Sequence, residues 1–475
     1  MIERKLLGGT DGFRGEAQLD NPDMGYMNEV TVANLSAALV AHQRENGVEG
    51  PVVIARDTRP SGRRLLMAAV GGVAAQGAEI IELDIAPTPV AQRIAEDTGA
   101  AATIVITASH NRYSDNGWKG MLGSNKPTKE QSRQISDKAW DMAGSYIIPT
   151  FVHHPSYETE SAQKLQETYV QATVQDVEER FGETPLAGKI LVVDGAFGAA
   201  KSMTPAIFRR LGATVEEFSC GDGLINEGCG AADLTGLRAY LAARPELIEN
   251  PNFLGAVAND GDADRMMAIG TVRQGGETRL VELDGNHAMW LLAHGPGIVG
   301  TDYTNSGLVT RLRADGVGFE YCENGDSYVT QALRAKQNAG EPWTRGGEFS
   351  GHFVDLEWLS SGDGLRTAAL FAATAVERSM SFGDVFKALP LWHQKMAKVH
   401  MNDVPQSLII ENEQYLQAVS QAEQALGSEG RLLLRPSGTE PVFRVWGEAV
   451  QPTQLHAVVN QLSRVIHDIV QPHLI

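Results

Sequence analysis

Three aspartates recur at every second residue in NDGDADR, residues 259 to 265, between the apolar stretches FLGAVA and MMAIG. In a tight loop, that spacing turns Asp260, Asp262 and Asp264 towards one hard cation. An EF-hand is excluded, because its loop needs glycine and glutamate where Arg265 and Thr271 stand. On the triplet alone, a solvated acidic turn fits equally well. A second stretch, ITASHNRYSDNGWK (106 to 119), offers Ser109, His110 and Lys119 directly after an apolar run. No serine-hydrolase elbow surrounds Ser109.

A third stretch, RPSGTEPVFR, combines Arg435, the hydroxyls of Ser437 and Thr439, the backbone of Gly438 and, further on, Arg444. Guanidinium groups, hydroxyls and free amides are the donors a phosphate dianion accepts from, although a plain hairpin turn has the same composition. GGEFSGH (346 to 352) brings Glu348, Ser350 and His352, a set able to grip the hydroxyls of a sugar, and GGTDGFRG places Arg14 in a glycine-rich loop. Singly, each is only a loop.

The elements that must position these loops form a repeat. PVVIARDTRPSGRRLLMAAVGGVAAQGAEIIELD, KILVVDGAFGAAKSMTPAIFRRLGATVEEF and GIVGTDYTNSGLVTRLRADGVGFEYC each give an apolar strand closed by aspartate (Asp57, Asp194, Asp302), a helical stretch, a glycine (Gly77, Gly212, Gly316) and a second strand. The apolar runs are continuous rather than alternating, as in sheets covered by helices on both faces, so three similar α/β domains are predicted. After about residue 380 the pattern changes to a small antiparallel α+β domain, with RPSGTEP at a strand-loop-strand turn. Turn-rich stretches set the domains at 1–155, 156–256, 257–380 and 381–475, with the acidic loop and GGEFSGH both in the third. Two look-alikes carry no chemistry: GPGIVG (295 to 300) runs from helix to strand, the reverse of a dinucleotide fingerprint, and GAFGAAKS (195 to 202) has Ala200 where a phosphate loop needs glycine.

At 475 residues the chain exceeds one hydrophobic core. Forty basic against fifty-nine acidic side chains, a net charge of −19, argue against a nucleic-acid or acidic-membrane surface. An anionic ligand therefore needs a local basic pocket. No run reaches a membrane span, the start lacks a signal-peptide core, and Cys220, Cys229 and Cys322 are expected as reduced thiols of a cytoplasmic protein.

Taken in order, TASHN, DGDADR, GEFSGH and RPSGTEP resemble the four signature loops of the α-D-phosphohexomutase superfamily, from about Gly9 to the C-terminal region. GTDGFRG, DGLINEGCG (222 to 230), the Ser-Gly-His of the sugar loop and the Ser-Gly of RPSGTEP are most similar to phosphoglucosamine mutases. The resemblance implies three mixed-sheet α/β domains and a TATA-binding-protein-like C-terminal α+β domain around a central cleft. It also implies a phosphoryl group on Ser109, a magnesium ion held by Ser109, Asp260, Asp262 and Asp264, and a hexose 1,6-bisphosphate as primer and intermediate. Arg14, His110 and Lys119 match basic positions around the serine, and Arg265 the position that binds the transferring group. Lys119 is the candidate general acid or base, if crowded positive charge lowers its pKa. Glu348, Ser350 and His352 fall in the sugar loop, and Arg435, Ser437, Gly438, Thr439 and Arg444 in the loop for the phosphate that is not reacting. The expected partner is a phosphosugar, and the expected state a monomer or homodimer.

Arg112, Phe349 and Ser327 depart from the family pattern, which usually has proline, glutamine and arginine there. Phosphomannomutase or phosphoglucomutase activity therefore stays open beside phosphoglucosamine mutase activity. A magnesium-dependent sugar phosphatase would use the same serine and acidic loop but pass the phosphoryl group to water. A non-catalytic phosphosugar-binding protein would lack Ser109 or the triplet, and this chain has both.

Overall fold

Apolar runs ending in turn residues become buried parallel strands three times over. The computed structural model describes residues 4–9, 11–143, 159–401, 404–437 and 441–473. Its first sheet contains β1 (Phe13–Glu16), β2 (Val52–Arg56), β3 (Ile80–Ile85), β4 (Ala102–Ile106) and β5 (Asp115–Leu122), in the order β1-β5-β4-β2-β3. The second has β6 (Ile190–Asp194), β7 (Thr214–Phe218), β8 (Phe253–Asn259), β9 (Met266–Gln274) and β10 (Glu277–Leu283), ordered β10-β9-β8-β6-β7. The third has β11 (Gly297–Thr301), β12 (Gly318–Cys322), β13 (Arg345–Gly347), β14 (Phe353–Asp355) and β15 (Leu359–Gly362), ordered β12-β11-β13-β14-β15.

All three share one pattern: three parallel strands, then two added antiparallel. The parallel strands of the first sheet are sealed by helices Glu29–Glu45 and Gly62–Ala75, whose Leu35, Leu39, Leu65 and Leu66 join Ile54 and Ile104 in one core. Removing one such side chain to alanine costs about 2–5 kcal/mol, so this core fixes the strand ends that carry the loops. Gly77, Gly212 and Gly316 do adopt the left-handed backbone expected after their helices, with φ of +65°, +92° and +79°.

The second sheet runs on past the boundary expected near 256. That position lies inside β8, and the acidic loop connects β8 to β9 of the second sheet rather than belonging to the third. Antiparallel strands added to a parallel sheet leave no strand-helix-strand signal, which is why the sequence pattern ended the domain early. The boundary near 380 also shifts, because helix Phe382–Ala388 packs on the second sheet: a Cβ on Gly255 would meet the Phe382 ring at 2.2 Å, and one on Gly383 would meet the carbonyl oxygen of Thr271 at 1.7 Å. The boundary near 155 lies outside the described residues.

The chain divides into two compact units, residues 1–304 with 312–388, and residues 305–311 with 389–475. The second unit holds the antiparallel sheet β16 (His393–His400), β17 (Gly430–Pro436) and β18 (Val442–Ala449), ordered β16-β18-β17. Phe443 and Val445, alternate residues of β18, are fully buried against Leu455, Leu462 and Ile466 of helix Pro452–Val470. GPGIVG follows helix Gly285–Leu291 and runs into β11, as predicted. Among the described residues, no helix is long and apolar enough to cross a membrane.

Candidate active site

β4 is buried along its whole length and delivers Ser109 three residues beyond its end. Ser109 is 1% exposed, and its backbone is left-handed, φ +52°. For a residue with a Cβ this costs on the order of 1–3 kcal/mol, so the surroundings must impose it. The Ser109 amide donates to Thr107 Oγ1 (2.9 Å), and Thr107 in turn donates to Asp57 Oδ2 (2.7 Å). The Ser109 carbonyl accepts from Arg59 Nη2 (2.8 Å) and Asn226 Nδ2 (2.7 Å). The resulting turn aims the hydroxyl at Asp260 Oδ2, to which it donates at 2.7 Å.

The solvated-turn alternative for the acidic loop fails: Asp260, Asp262 and Asp264 are each at most 1% exposed. One oxygen from each lies within 4.8 Å of the others. Ala263, left-handed at φ +57°, reverses the chain within the loop, while Thr88 holds it by donating from its amide to the Asp262 carbonyl (3.0 Å) and from its hydroxyl to Asp262 Oδ2 (2.6 Å). Burial, then the neighbouring Asp264 and Asp262, push the Asp260 carboxyl up to about 7.

Three cationic side chains face this triad. Lys119 Nζ reaches Asp262 Oδ2 (2.5 Å) and Asp264 Oδ2 (2.9 Å), Arg265 Nε lies 3.8 Å from Asp260 Oδ2, and His352 Nε2 lies 3.1 Å from Asp264 Oδ1. Lys119 arrives there through register: it pairs with Val105 across β4 and β5, on the same face as Gly117, the cross-strand partner of Arg14. Only glycine fits at 117, since a Cβ would meet the Thr107 carbonyl oxygen at 2.2 Å and Arg14 Cγ at 3.0 Å. The Arg14 Nε is buried without a hydrogen-bond partner.

Two electrostatic expectations are corrected. Burial works against the Lys119 ammonium, but Asp262 and Asp264 outweigh it and its pKa is raised, not lowered; Lys119 is a fixed cation rather than a poised base. His110, whose Nδ1 is 3.5 Å from Ser109 Oγ, is pushed down to about 4 by burial and by the Arg265 and Arg14 guanidiniums. It is neutral at pH 7 and adds no positive charge.

The sugar-type loop joins β13 to β14 and is tied to the acidic loop by pairing of Arg265 with His352 and by the Met266 amide donating to the Gly351 carbonyl (3.0 Å). His352 is 7% exposed, with Nδ1 2.6 Å from Glu348 Oε2 and Nε2 facing Asp264. Burial opposes its charge, but Asp264 above all carries its pKa up to about 10. Both N–H groups of the imidazolium are thus directed at protein carboxylates, and Arg265 Nε, 3.3 Å from Nε2, is a neighbouring cation. His352 braces the two loops and has no donor left for a sugar. Glu348 also accepts from the Gly325 amide (3.0 Å), so Ser327, two residues on and buried, does lie beside this loop. Ser350 is half-buried, and Phe349 is exposed, its ring edge-on to Tyr303 at 6.0 Å.

Arg435, Ser437 and Arg444 belong to the second unit. Arg435 and Arg444 are direct cross-strand partners, and the Ser437 amide donates to the Val442 carbonyl (2.8 Å) to start the turn. Gly438 and Thr439 lie outside the described residues. Sequence reasoning passed over Arg59, Thr88, Thr107 and Asn226. Nothing in RDTRP marks Arg59 as buried; Asn226, within DGLINEGCG, stood out only as a likeness. The three cysteines are free, and burial pushes each thiol up to about 12. Among the described residues, the aspartate triad is the one cluster of metal-ligating side chains.

Residues 5–142 match alpha/beta/alpha domain I of the phosphoglucomutase/phosphomannomutase family, residues 284–391 its domain III and residues 396–465 its C-terminal domain. The chain is 33% identical to the phosphoglucosamine mutase of Frankia casuarinae, over 98% of its own length and 99% of that protein. It is 32% identical to the phosphoglucosamine mutase of Thermobifida fusca, over 97% and 98%. Among solved structures, a phosphoglucomutase/phosphomannomutase family protein from Burkholderia thailandensis has the same fold, with a TM-score of 0.73 at 21% identity over 99% of this chain and 98% of that one.

Proposed function

The chain belongs to the phosphoglucomutase/phosphomannomutase family of α-D-phosphohexomutases and is an intramolecular phosphotransferase; we propose that its substrate is glucosamine phosphate and that Ser109 carries the phosphoryl group between the 6- and 1-positions, by way of a hexose 1,6-bisphosphate. The sugar follows from the names of the full-length relatives. The role of Ser109 rests on one observation above the rest: its hydroxyl is 2.7 Å from Asp260, inside a cluster of three buried carboxylates.

The donor set fits magnesium, because three hard oxygen ligands converge and the buried Asp262 Oδ1 has no hydrogen-bond partner. Asp260, Asp262, Asp264 and the Ser109 oxygen would hold the ion, which when bound supplies charge neutralisation to the serine phosphate. This chain's own residues do the rest. Arg14 and Arg265 present guanidinium groups to the transferring phosphoryl group, whose transition state spreads charge over its oxygens. Lys119 keeps a permanent positive charge beside the triad, and neutral His110 limits that charge at the serine. Glu348 and Ser350 take the ring hydroxyls, while Arg435, Ser437, Gly438, Thr439 and Arg444 anchor the phosphate that is not reacting. Transfer then depends on positioning, not on an activated nucleophile, since the serine starts phosphorylated.

Phosphorus NMR tests this reading with magnesium, a trace of glucose 1,6-bisphosphate and, in turn, the 6-phosphates of glucosamine, glucose and mannose. An anomeric phosphate growing fastest from glucosamine 6-phosphate is the expected result. Faster growth from mannose or glucose 6-phosphate transfers the assignment to that sugar, and inorganic phosphate alone makes the protein a phosphatase.

A further inference from the structure

The serine loop is held from two sides by groups that the transfer chemistry does not use. Behind it lies Arg59, paired with Asp57 at 2.9 Å, both side chains fully shielded from solvent. All five guanidinium N–H groups are spent: Nε donates to Asp57, Nη2 to the carbonyls of Ser109 (2.8 Å) and Asn111 (2.8 Å), and Nη1 to those of Asp115 (2.8 Å) and Arg112. In front, Asn226 on the loop after β7 donates Nδ2 to two of the same carbonyls, Ser109 (2.7 Å) and Asn111 (3.0 Å). Asn226 is itself held in a left-handed turn, φ +61°, by its amide bond to the Ala196 carbonyl (3.0 Å). The acidic loop closes the same contact, because a Cβ on Gly261 would sit 2.8 Å from the Ser109 carbonyl oxygen.

We propose that Arg59 and Asn226 are positioning residues of the phosphoryl transfer: a clamp on the Ser109 and Asn111 carbonyls that imposes the left-handed serine and joins the serine loop to the metal-binding loop of the second sheet. The proposal rests on the reading that Ser109 carries the phosphoryl group. Neither residue touches the hydroxyl. Each acts by fixing the peptide plane that follows it, and with that plane free, a serine relaxes to negative φ and swings Oγ away from Asp260. A misplacement of roughly 1 Å at a reacting group lowers turnover by about 100-fold while leaving the ground-state contacts of the sugar in place. A loosened phosphoserine also meets water. Water oxygen then bonds to phosphorus, the P–Oγ bond breaks, Oγ keeps the electron pair and takes a proton, and inorganic phosphate leaves.

The test compares wild type, Asn226→Ala, Arg59→Lys, the double variant and Ser109→Ala, each supplied with magnesium, glucose 1,6-bisphosphate and glucosamine 6-phosphate. Expected is a fall in kcat of about 10-fold for Asn226→Ala and about 100-fold for Arg59→Lys, with KM within about twofold of wild type. More inorganic phosphate is released per transfer in both. The double variant falls by less than the product, because both side chains serve the same two carbonyls. Should Arg59→Lys fail to fold, Asn226→Ala decides alone, since it removes one donor and leaves the buried ion pair intact. A folded Asn226→Ala with wild-type kcat and wild-type phosphate release overturns the clamp, as does a loss carried wholly by KM. Normal turnover in Ser109→Ala overturns the underlying reading instead, so the two failures are distinguishable.

Discussion

The serine centre of the first unit and the arginine hairpin of the second hold charge in opposite ways. In the centre, three buried carboxylates are matched by Lys119, Arg265 and His352 within the protein, at 2.5 to 4.0 Å. In the hairpin, Arg435 and Arg444 stand directly opposite each other on neighbouring strands, and every residue of β17 is only half-buried. The serine centre, the proposed reacting end, is thus preorganised by the protein's own groups, while the half-buried hairpin, the proposed anchoring end, is the more open to a ligand. Preorganised charge favours the transition state, and contacts made away from the reacting atoms favour binding. The two regions should therefore fail differently when altered.

The largest effect is expected at the preorganised end. Ser109→Ala should bind substrate yet lose turnover by about 10⁴-fold or more, because the atom proposed to carry the group is gone; phosphorus NMR and a binding titration measure the two properties separately. Next, Lys119→Met removes the countercharge of Asp262 and Asp264 and should destabilise the magnesium-free protein by about 3–5 kcal/mol, the consequence of leaving buried charge uncompensated. Magnesium should then raise the melting temperature of this variant more than that of wild type, because the dication takes over the role of the ammonium. Equal shifts in both proteins would show that the triad does not depend on Lys119 for its balance.

At the other end, Arg435→Ala should raise KM by about 10- to 100-fold with kcat largely retained, the effect of losing one charged hydrogen-bonding group to phosphate. Steady-state kinetics check this, and a fall in kcat at constant KM would erase the contrast between the regions. The smallest change is Thr88→Val, which removes a single hydroxyl donor from Asp262 and should lower stability by about 1 kcal/mol in denaturant unfolding.

Much of this arrangement was legible in the linear chain. Strand-helix-strand repeats closed by Gly77, Gly212 and Gly316 follow from local rules, since each helix end requires a left-handed residue and each apolar run a covered sheet. The acidic triplet, the serine stretch and the RPSGTEP turn stand out because their chemistry is written in residue types at short spacing. Domain limits were less legible. The antiparallel strands β9 and β10 and the helix Phe382–Ala388 complete the second sheet through pairing and packing, to which neighbours in sequence give no clue.

By itself, the sequence determined which groups are present: a serine, three aspartates, a sugar-type loop and an arginine turn, carried on repeated α/β units. Only the tertiary structure decided their states. Asp262 and Asp264 outweighed burial and made Lys119 a fixed cation, burial with two guanidiniums beside it made His110 neutral, and two carboxylates turned His352 into a brace. Arg59 and Asn226 acquired their place in the same way, through carbonyls 50 and 117 residues away. Charge state and hydrogen-bond partnership depend on solvent exclusion and on distances across the fold, and neither quantity exists along a chain until it has packed.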